Sequence, residues 1–428
     1  MITWIRGGNL VDPVKGTVEQ VDVIVENGKI SRMLPPGVFQ EEGPGISRIE
    51  ASGRMVVPGL IDMHVHLREP GHEYKETIAS GARAAAAGGY TAIACMPNTA
   101  PPNDCRAVTE FILEQAGRAG WVRVYPIAAI SKGQAGETLT DFGELKAAGA
   151  VGVSDDGFPV VNSELMRRAL EYASFYGLRV ISHCEDRGLS GNGVMHEGVV
   201  STRIGLAGIP DASEDIMVYR EIALSRLTGR PVHIAHVSTA GSVDLIRRAK
   251  KKGIRVTAET APHYFTLDHR RVIGYDTLAK VNPPLRSPED VEAIKAGLRE
   301  GVIDAIATDH APHSSLEKEV EFDRAAFGMI GLQTALPLTL QLVRDRVLGL
   351  AEAIGKLSWA GATILGVPGG RLVEGGNADL AVIDLDYEYP FEADRILSKS
   401  KNSPFIGEVL KGIAELTMVG GKVVWEKR

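Results

Sequence analysis

Between residues 57 and 366 the chain alternates strand-like and helix-like segments, and this alternation restricts the fold more than any other feature of the sequence. Short apolar runs fall at 57–66, 91–96, 122–127, 150–154, 179–183, 232–236, 255–258 and 305–308. Helical periodicity fills most of the gaps, at 79–87, 106–119, 163–176, 213–228, 242–252 and 288–300. Eight strands separated by helices over roughly 250–300 residues predict a (β/α)8 barrel rather than an open doubly wound sheet. No G-x-G-x-x-G opens the first unit and no Walker motif occurs, which argues against nucleotide binding.

The two ends of the chain are different. Residues 3–6, 21–25 and 29–33 are apolar runs, with Asn27-Gly28 as a hairpin turn, and 34–48 is a Pro/Gly/Glu-rich surface loop. Beyond Pro368-Gly369-Gly370 strands return at 380–383, 413–418 and 423–425, with Gly420-Gly421 as a turn. The organisation expected is therefore a barrel over 57–366 flanked by β-rich segments at 1–56 and 367–428.

At 428 residues the chain buries enough apolar surface to need no disulfide staples, and its cysteines, Cys95, Cys105 and Cys184, form no paired framework. With no signal-like N-terminus and no apolar run long enough to span a bilayer, a cytoplasmic protein is expected. A net charge of −7 argues against non-specific nucleic-acid binding.

Chemistry concentrates where the strand-like segments end, as it does at the C-terminal face of such barrels. His64 and His66 lie two apart on the first strand, so both imidazoles point to the same side. Two imidazoles on a rigid strand suit a borderline metal such as zinc. His183, His236 and Asp309 end the fifth, sixth and eighth strands, and their convergence on one face is hard to explain structurally. Strand four ends Ser154-Asp-Asp-Gly157, and periodicity does not choose between Asp155 and Asp156. His233 and Cys184 are out of phase and read as structural, and Asp62 sits deeper, in support of the site. His72, His196 and His269 read as solvated loop residues, while His263 stays undecided.

These residues also carry a resemblance. Residues 59–68, Met96-Pro-Asn-Thr99, Ser154-Asp-Asp-Gly157, His183-Cys-Glu185, His236-Val-Ser-Thr239, Val281-Asn-Pro-Pro-Leu285 and Thr308-Asp-His-Ala-Pro-His313 resemble, in order, the motifs of class I dihydroorotases of the amidohydrolase superfamily. The resemblance covers essentially the whole chain and implies a metal-dependent hydrolase barrel with a small β-sandwich built from both termini. It implies two zinc ions per subunit, held by His64, His66, His183, His236 and Asp309, with Asp156 bridging them where many relatives carry a carbamylated lysine. The implied reaction is the reversible cyclisation of N-carbamoyl-L-aspartate to L-dihydroorotate and water, in pyrimidine biosynthesis. Asp309 would act as the general base and acid.

The substrate's free carboxylate requires fixed cations or donors. Arg68, two residues beyond His66, is in phase for a bidentate grip. By resemblance His66, Asn98, Asn282 and His313 are further substrate contacts, and Phe327 and Gly328 offer backbone contacts from a mouth segment over 314–328. The glutamates of the charge run in that segment read as a solvated face. Dihydropyrimidinase (hydantoinase) and allantoinase are the rival readings, but they carry the strand-four lysine absent here, and their substrates lack the carboxylate. A non-catalytic subunit of aspartate transcarbamoylase is a rival of another class, disfavoured because every candidate ligand is present. A homo-oligomer is expected, and association with that transcarbamoylase stays open.

Overall fold

A computed structural model describes residues 2–40, 43 and 45–427. The N-terminal strands are β1 (Ile2–Asp12), β2 (Thr17–Glu26), β3 (Lys29–Leu34), β4 (Ile46–Glu50) and β5 (Met55–Pro58). Asn27 and Gly28 both adopt left-handed backbone (φ 51° and 78°), the twist that a two-residue hairpin between β2 and β3 demands. Of the loop expected over 34–48, residues 41, 42 and 44 lie outside the described residues, and 46–48 belong to β4 instead.

The barrel follows with β6 (Leu60–Val65), β7 (Tyr90–Cys95), β8 (Arg123–Ala128), β9 (Gly152–Val153) and β10 (Arg179–Ser182). An excursion carries a small parallel pair, β11 (Met195–His196) and β12 (Gly208–Ile209), before β13 (Val232–Ile234), β14 (Val256–Thr260) and β15 (Ala305–Ile306) complete the set. The eight barrel strands pair in parallel in chain order, and a bridge between Val65 and His310 closes β15 onto β6. All residues of β6 and β7 are buried, as expected of parallel strands covered on both faces. Helices lie outside, several begun by side-chain caps: Thr77 and Ser80 form a capping box, as do Ser287 and Asp290 behind Pro288. Met63, Ala94, Ile127, Ile181 and Ala305 fill the barrel interior as an apolar layer, closed from below by Ile364 and Leu365.

The chain ends with β16 (Leu380–Pro390), β17 (Val409–Val419) and β18 (Lys422–Glu426), which join the N-terminal strands in one sheet, in the order β18-β17-β16-β5-β1-β2-β3 with β4 beside β1. Ile5, Val25 and Val56 share a core with Leu380, Val382 and Met418, so neither end buries its apolar face alone. This is the small β-sandwich, packed against the (β/α)8 barrel. Among the described residues no helix is long and apolar enough to cross a membrane.

The segment read as one strand over 57–66 is two. Pro58 still pairs with Leu380 in the terminal sheet, whereas Leu60 pairs with Tyr90 in the barrel. Gly59 is the switch, and its bare Cα lets the backbone cross Thr91: a Cβ there would lie 2.1 Å from Thr91 Oγ1. We expect Gly59→Ala to destabilise the protein by about 1–3 kcal/mol, the range of local overpacking, and Gly59→Ala/Thr91→Ala to recover only part of it, because the Thr91 Cβ would still stand 2.6 Å away. Thermal unfolding of the two variants checks this, and an unchanged melting temperature in the single variant would contradict it.

Candidate metal centre and active site

Six of the residues singled out in the sequence meet at the C-terminal ends of the strands. His64 Nε2 lies 3.4 Å from Asp156 Oδ1 and 3.6 Å from Asp309 Oδ1. His66 Nε2 lies 3.4 Å from Asp156 Oδ2 and 3.1 Å from Asp309 Oδ1. On the other side, Asp156 Oδ1 is 3.6 Å from His183 Nδ1 and 3.4 Å from His236 Nε2. Donor atoms around one tetrahedral ion with bonds of about 2.0–2.1 Å stand about 3.3–3.4 Å apart, so these separations suit ligands that would share cations, while His183 Nδ1 and His236 Nε2 stand closer, at 2.8 Å. Asp156 touches both histidine pairs. Asp155 faces elsewhere, its carboxylate accepting from the Ile130 and Ser131 amides and the Ser131 hydroxyl. The choice that periodicity left open thus falls to Asp156.

A donor set can be compact without being built for a metal. Here two observations point to one. His64 Nε2 and Asp156 Oδ1 are buried without a hydrogen-bond partner, a costly arrangement unless an ion satisfies them. In addition, the far nitrogen of three imidazoles is held by an acceptor. His64 Nδ1 faces Glu259 Oε1 at 2.7 Å, His66 Nδ1 faces Asn98 Oδ1 at 2.8 Å, and His183 Nε2 faces Glu185 Oε2 at 3.1 Å. Such acceptors fix the ring and aim the inward nitrogen at the cluster, where His66 Nε2 faces Asp309 Oδ1 at 3.1 Å and His183 Nδ1 faces His236 Nε2 at 2.8 Å.

The backbone is bent to aim these groups. The register shift between Asp62 and Val65 lets His64 and His66 turn inward above Met63. Arg68, His236 and Asp309 are three of only seven non-glycine residues with positive φ among the described residues, at 62°, 35° and 47°. Left-handed backbone costs about 1–3 kcal/mol for such residues, and its concentration at one set of strand ends marks a functional constraint. Asp62 supports the site from below, its carboxylate accepting from the His64 and Thr308 amides. Burial raises its pKa to about 7.

Electrostatics follow from the crowding. Burial alone would raise the carboxyls of Asp156 and Asp309, but neighbouring histidines reverse the sign. The charge of His64 and the close approach of the His183 and His236 imidazoles hold Asp156 well below the usual carboxylate range. The His66 hydrogen bond and the His64 charge do the same for Asp309. Burial works against the His183 cation, yet hydrogen bonds to Asp156 and Glu185 raise its pKa to about 10 in the metal-free protein.

Arg68 lies buried beside this cluster. Its Nε donates to the Pro312 carbonyl at 3.2 Å and one terminal nitrogen faces His313 Nε2 at 3.3 Å. No carboxylate among the described residues lies within ion-pair distance of its guanidinium. Burial, with the nearby charge of Arg68, pushes the His313 pKa down to about 2, so the imidazole is neutral and accepts from Arg68. Asn282 Nδ2 donates to Glu185 Oε2 at 3.2 Å, so one carboxylate braces both His183 and Asn282. Gly328 differs from the open backbone contact expected of it. Its N–H donates to the Lys280 carbonyl, and its own carbonyl accepts from Lys318 and Asn402.

His233, read as structural, is buried against Thr257 and lies 3.3 Å from Glu259, behind His64 rather than in the cluster. Other readings change. His196 is buried, not solvated, with Asp211 at 3.2 Å and the His269 ring at 5.1 Å. His263 is buried and burial pushes its pKa down to about 4. Sequence alone assigns no role to Glu259 or Glu185; the available signal for Glu259 is a carboxylate directly after the apolar run 255–258.

Comparison with known proteins agrees with this geometry. Residues 53–242 match the family model described as dihydro-orotase-like, and residues 200–425 match that of the amidohydrolase family. The dihydroorotase of Geobacter metallireducens is 54% identical over 423 residues, covering 99% of both chains. That of Pelotomaculum thermopropionicum is 55% identical over 425 residues, covering 99% of this chain and 98% of its own. Among solved structures, L-hydantoinase (dihydropyrimidinase) from Arthrobacter aurescens superposes with a TM-score of 0.88 at 26% identity, covering 99% of this chain and 96% of its own. The dihydropyrimidinase of Brevibacillus agri, at 22% identity and a TM-score of 0.86 over 100% of this chain and 95% of its own, shares the fold. On its sequence, its fold and its site, this chain belongs to the dihydroorotase family of the amidohydrolases.

Proposed function

We propose that the protein is a dihydroorotase, interconverting N-carbamoyl-L-aspartate and L-dihydroorotate plus water at a zinc centre. The observation that carries the choice of substrate is Arg68. A buried guanidinium with no carboxylate partner is costly unless a ligand supplies the anion, and of the rival cyclic amides only dihydroorotate carries a carboxylate. Hydantoinase-type chemistry leaves that cation unpaired.

His64, His66 and Asp309 would hold one zinc and His183 and His236 a second, with Asp156 between them. The orphaned buried atoms and the ligand-like spacing support this set. Bound metal supplies a Lewis acid and lowers the pKa of water to about 7. The remaining work falls to side chains. In the hydrolytic direction Asp309 takes a proton from the attacking water and delivers it to the ring nitrogen as the C–N bond breaks. In the synthetic direction it accepts the ureido proton as that bond forms. An anionic Asp309 at neutral pH, held so by its histidine neighbours, is the state a base requires. Arg68 grips the substrate carboxylate bidentately, with neutral His313 beside it. Asn98 and Asn282 orient the ring, each already aligned by a bond to His66 or Glu185. Phe327 completes the wall at the mouth. The same reading expects a cytoplasmic homo-oligomer, with association with aspartate transcarbamoylase to be tested by mixing the two proteins on a sizing column.

Asp309→Asn is expected to lower kcat by about 10²–10⁴ with little change in KM, in steady-state assays on dihydroorotate with metal content measured alongside. Near-normal turnover would remove Asp309 from proton transfer. For Arg68→Ala we expect kcat/KM to fall by about 10²-fold or more, the scale of a lost buried charge contact, and an unchanged value would mean the carboxylate is bound elsewhere. Metal affinity should also depend on pH. Because His183 stays protonated up to about 10 in the metal-free protein, zinc must displace a proton, so affinity rises as pH rises toward that value. Calorimetric titration in buffers of different ionisation enthalpy measures the proton released, and binding without release would contradict the ligand set.

A further inference from the structure

Two lysines behind the active site are buried as cations without anions. Lys318 is 1% and Lys280 2% exposed, and among the described residues neither forms an ion pair with a carboxylate. Their partners are backbone carbonyls. Lys318 Nζ donates to Lys280 O at 3.2 Å, Ala326 O at 2.8 Å and Gly328 O at 3.0 Å, which uses all three of its protons. Lys280 Nζ donates to Phe322 O at 2.8 Å and Asp323 O at 3.0 Å, and lies 4.4 Å above the Phe327 ring. The two are interlocked, since the Lys280 carbonyl accepts from both Lys318 and the Gly328 amide.

What they hold is the segment that walls the substrate site. After one helical turn, Ser315–Lys318, it has no regular structure up to Met329, so its buried carbonyls have no ladder partners. The Gly328 carbonyl is the junction: it also accepts from Asn402 Nδ2, while Asn402 Oδ1 receives the His313 amide. Lys318 is thereby linked to His313, the neighbour of Arg68, through three hydrogen bonds. Space is tight at this point, because a Cβ on Gly328 would stand 3.1 Å from His313 Cδ2.

We propose that Lys318 and Lys280 are positioning residues for substrate binding, holding the 313–328 segment so that His313 and Phe327 are set beside Arg68. This rests on the dihydroorotase reading above. Fold stability does not explain them. Burial pushes the Lys318 pKa down to about 7, with the charge of Lys280 adding to it, and that of Lys280 to about 8, so the carbonyls do not fully repay desolvation of the ammonium groups. A fold seeking only stability has no reason to keep a cation there.

The test is Lys318→Met, with Lys318→Gln as a second variant that keeps two donors for the carbonyls without the charge. Steady-state kinetics on dihydroorotate should show KM raised about tenfold or more for Lys318→Met with kcat within about threefold, and a smaller rise for Lys318→Gln. Hydrogen exchange across 314–328 should be faster, while melting temperature and zinc content stay at wild-type values. Unchanged KM with unchanged exchange would overturn the proposal. So would a parallel loss of kcat, melting temperature and metal, or failure of both variants to fold, since each makes the lysines purely structural. Absence of turnover by the wild-type protein would instead sink the assigned reaction, and the exchange measurement would still report whether Lys318 orders the segment.

Discussion

Everything at the mouth of this barrel is arranged around one electrostatic constraint: two carboxylates and four imidazoles are packed into a buried space with their lone pairs facing inward. Crowding the two kinds of group together raises the pKa of His183 and lowers those of Asp156 and Asp309, each stabilising the other's charge. A divalent cation would take the place of the imidazole protons. Outside the cluster, Glu259, Asn98 and Glu185 fix which nitrogen of His64, His66 and His183 points in, and Asp62 holds the His64 backbone.

The second constraint is the mismatch of charge on the substrate side. Arg68 is held by the Pro312 carbonyl and a neutral histidine, neither of which neutralises it. Metal chemistry alone would serve any cyclic amide, so on the proposed reading specificity would lie with this cation and with the segment beside it. That segment is braced from three parts of the chain: Lys280 from the strand-seven side, Lys318 from within, and Asn402 from the C-terminal half. The terminal sandwich is thus tied to the active site as well as to the barrel wall. Glu76 adds a further tie, joining Ser398 and the Lys399 amide to His310 beside Asp309.

Much of this was legible in the sequence because strand periodicity and position at a strand end are local properties. His64, His66, His183, His236 and Asp309 stood out on those grounds, and the helix and strand segments fell close to their observed bounds. The split of 57–66 was not legible, since Val57 and Leu60 are equally apolar and only the pairing partner tells the two sheets apart. Periodicity could not separate Asp155 from Asp156 either, because the chain leaves β9 after Val153 and alternation ends there. Lys318 sits in a charge run, and burial of a cation by backbone carbonyls has no one-dimensional signature. The same holds for His196, whose loop folds back over its neighbours.

The claim on which the account stands is that this cluster is a two-metal centre bridged by Asp156. Anomalous diffraction at the zinc absorption edge, from crystals of protein purified without chelators, tests it most directly. Two peaks are expected, one among His64, His66 and Asp309 and one at His183 and His236, with Asp156 between them. Fully occupied metal at other residues, or none at these six in protein that turns over dihydroorotate, would contradict it.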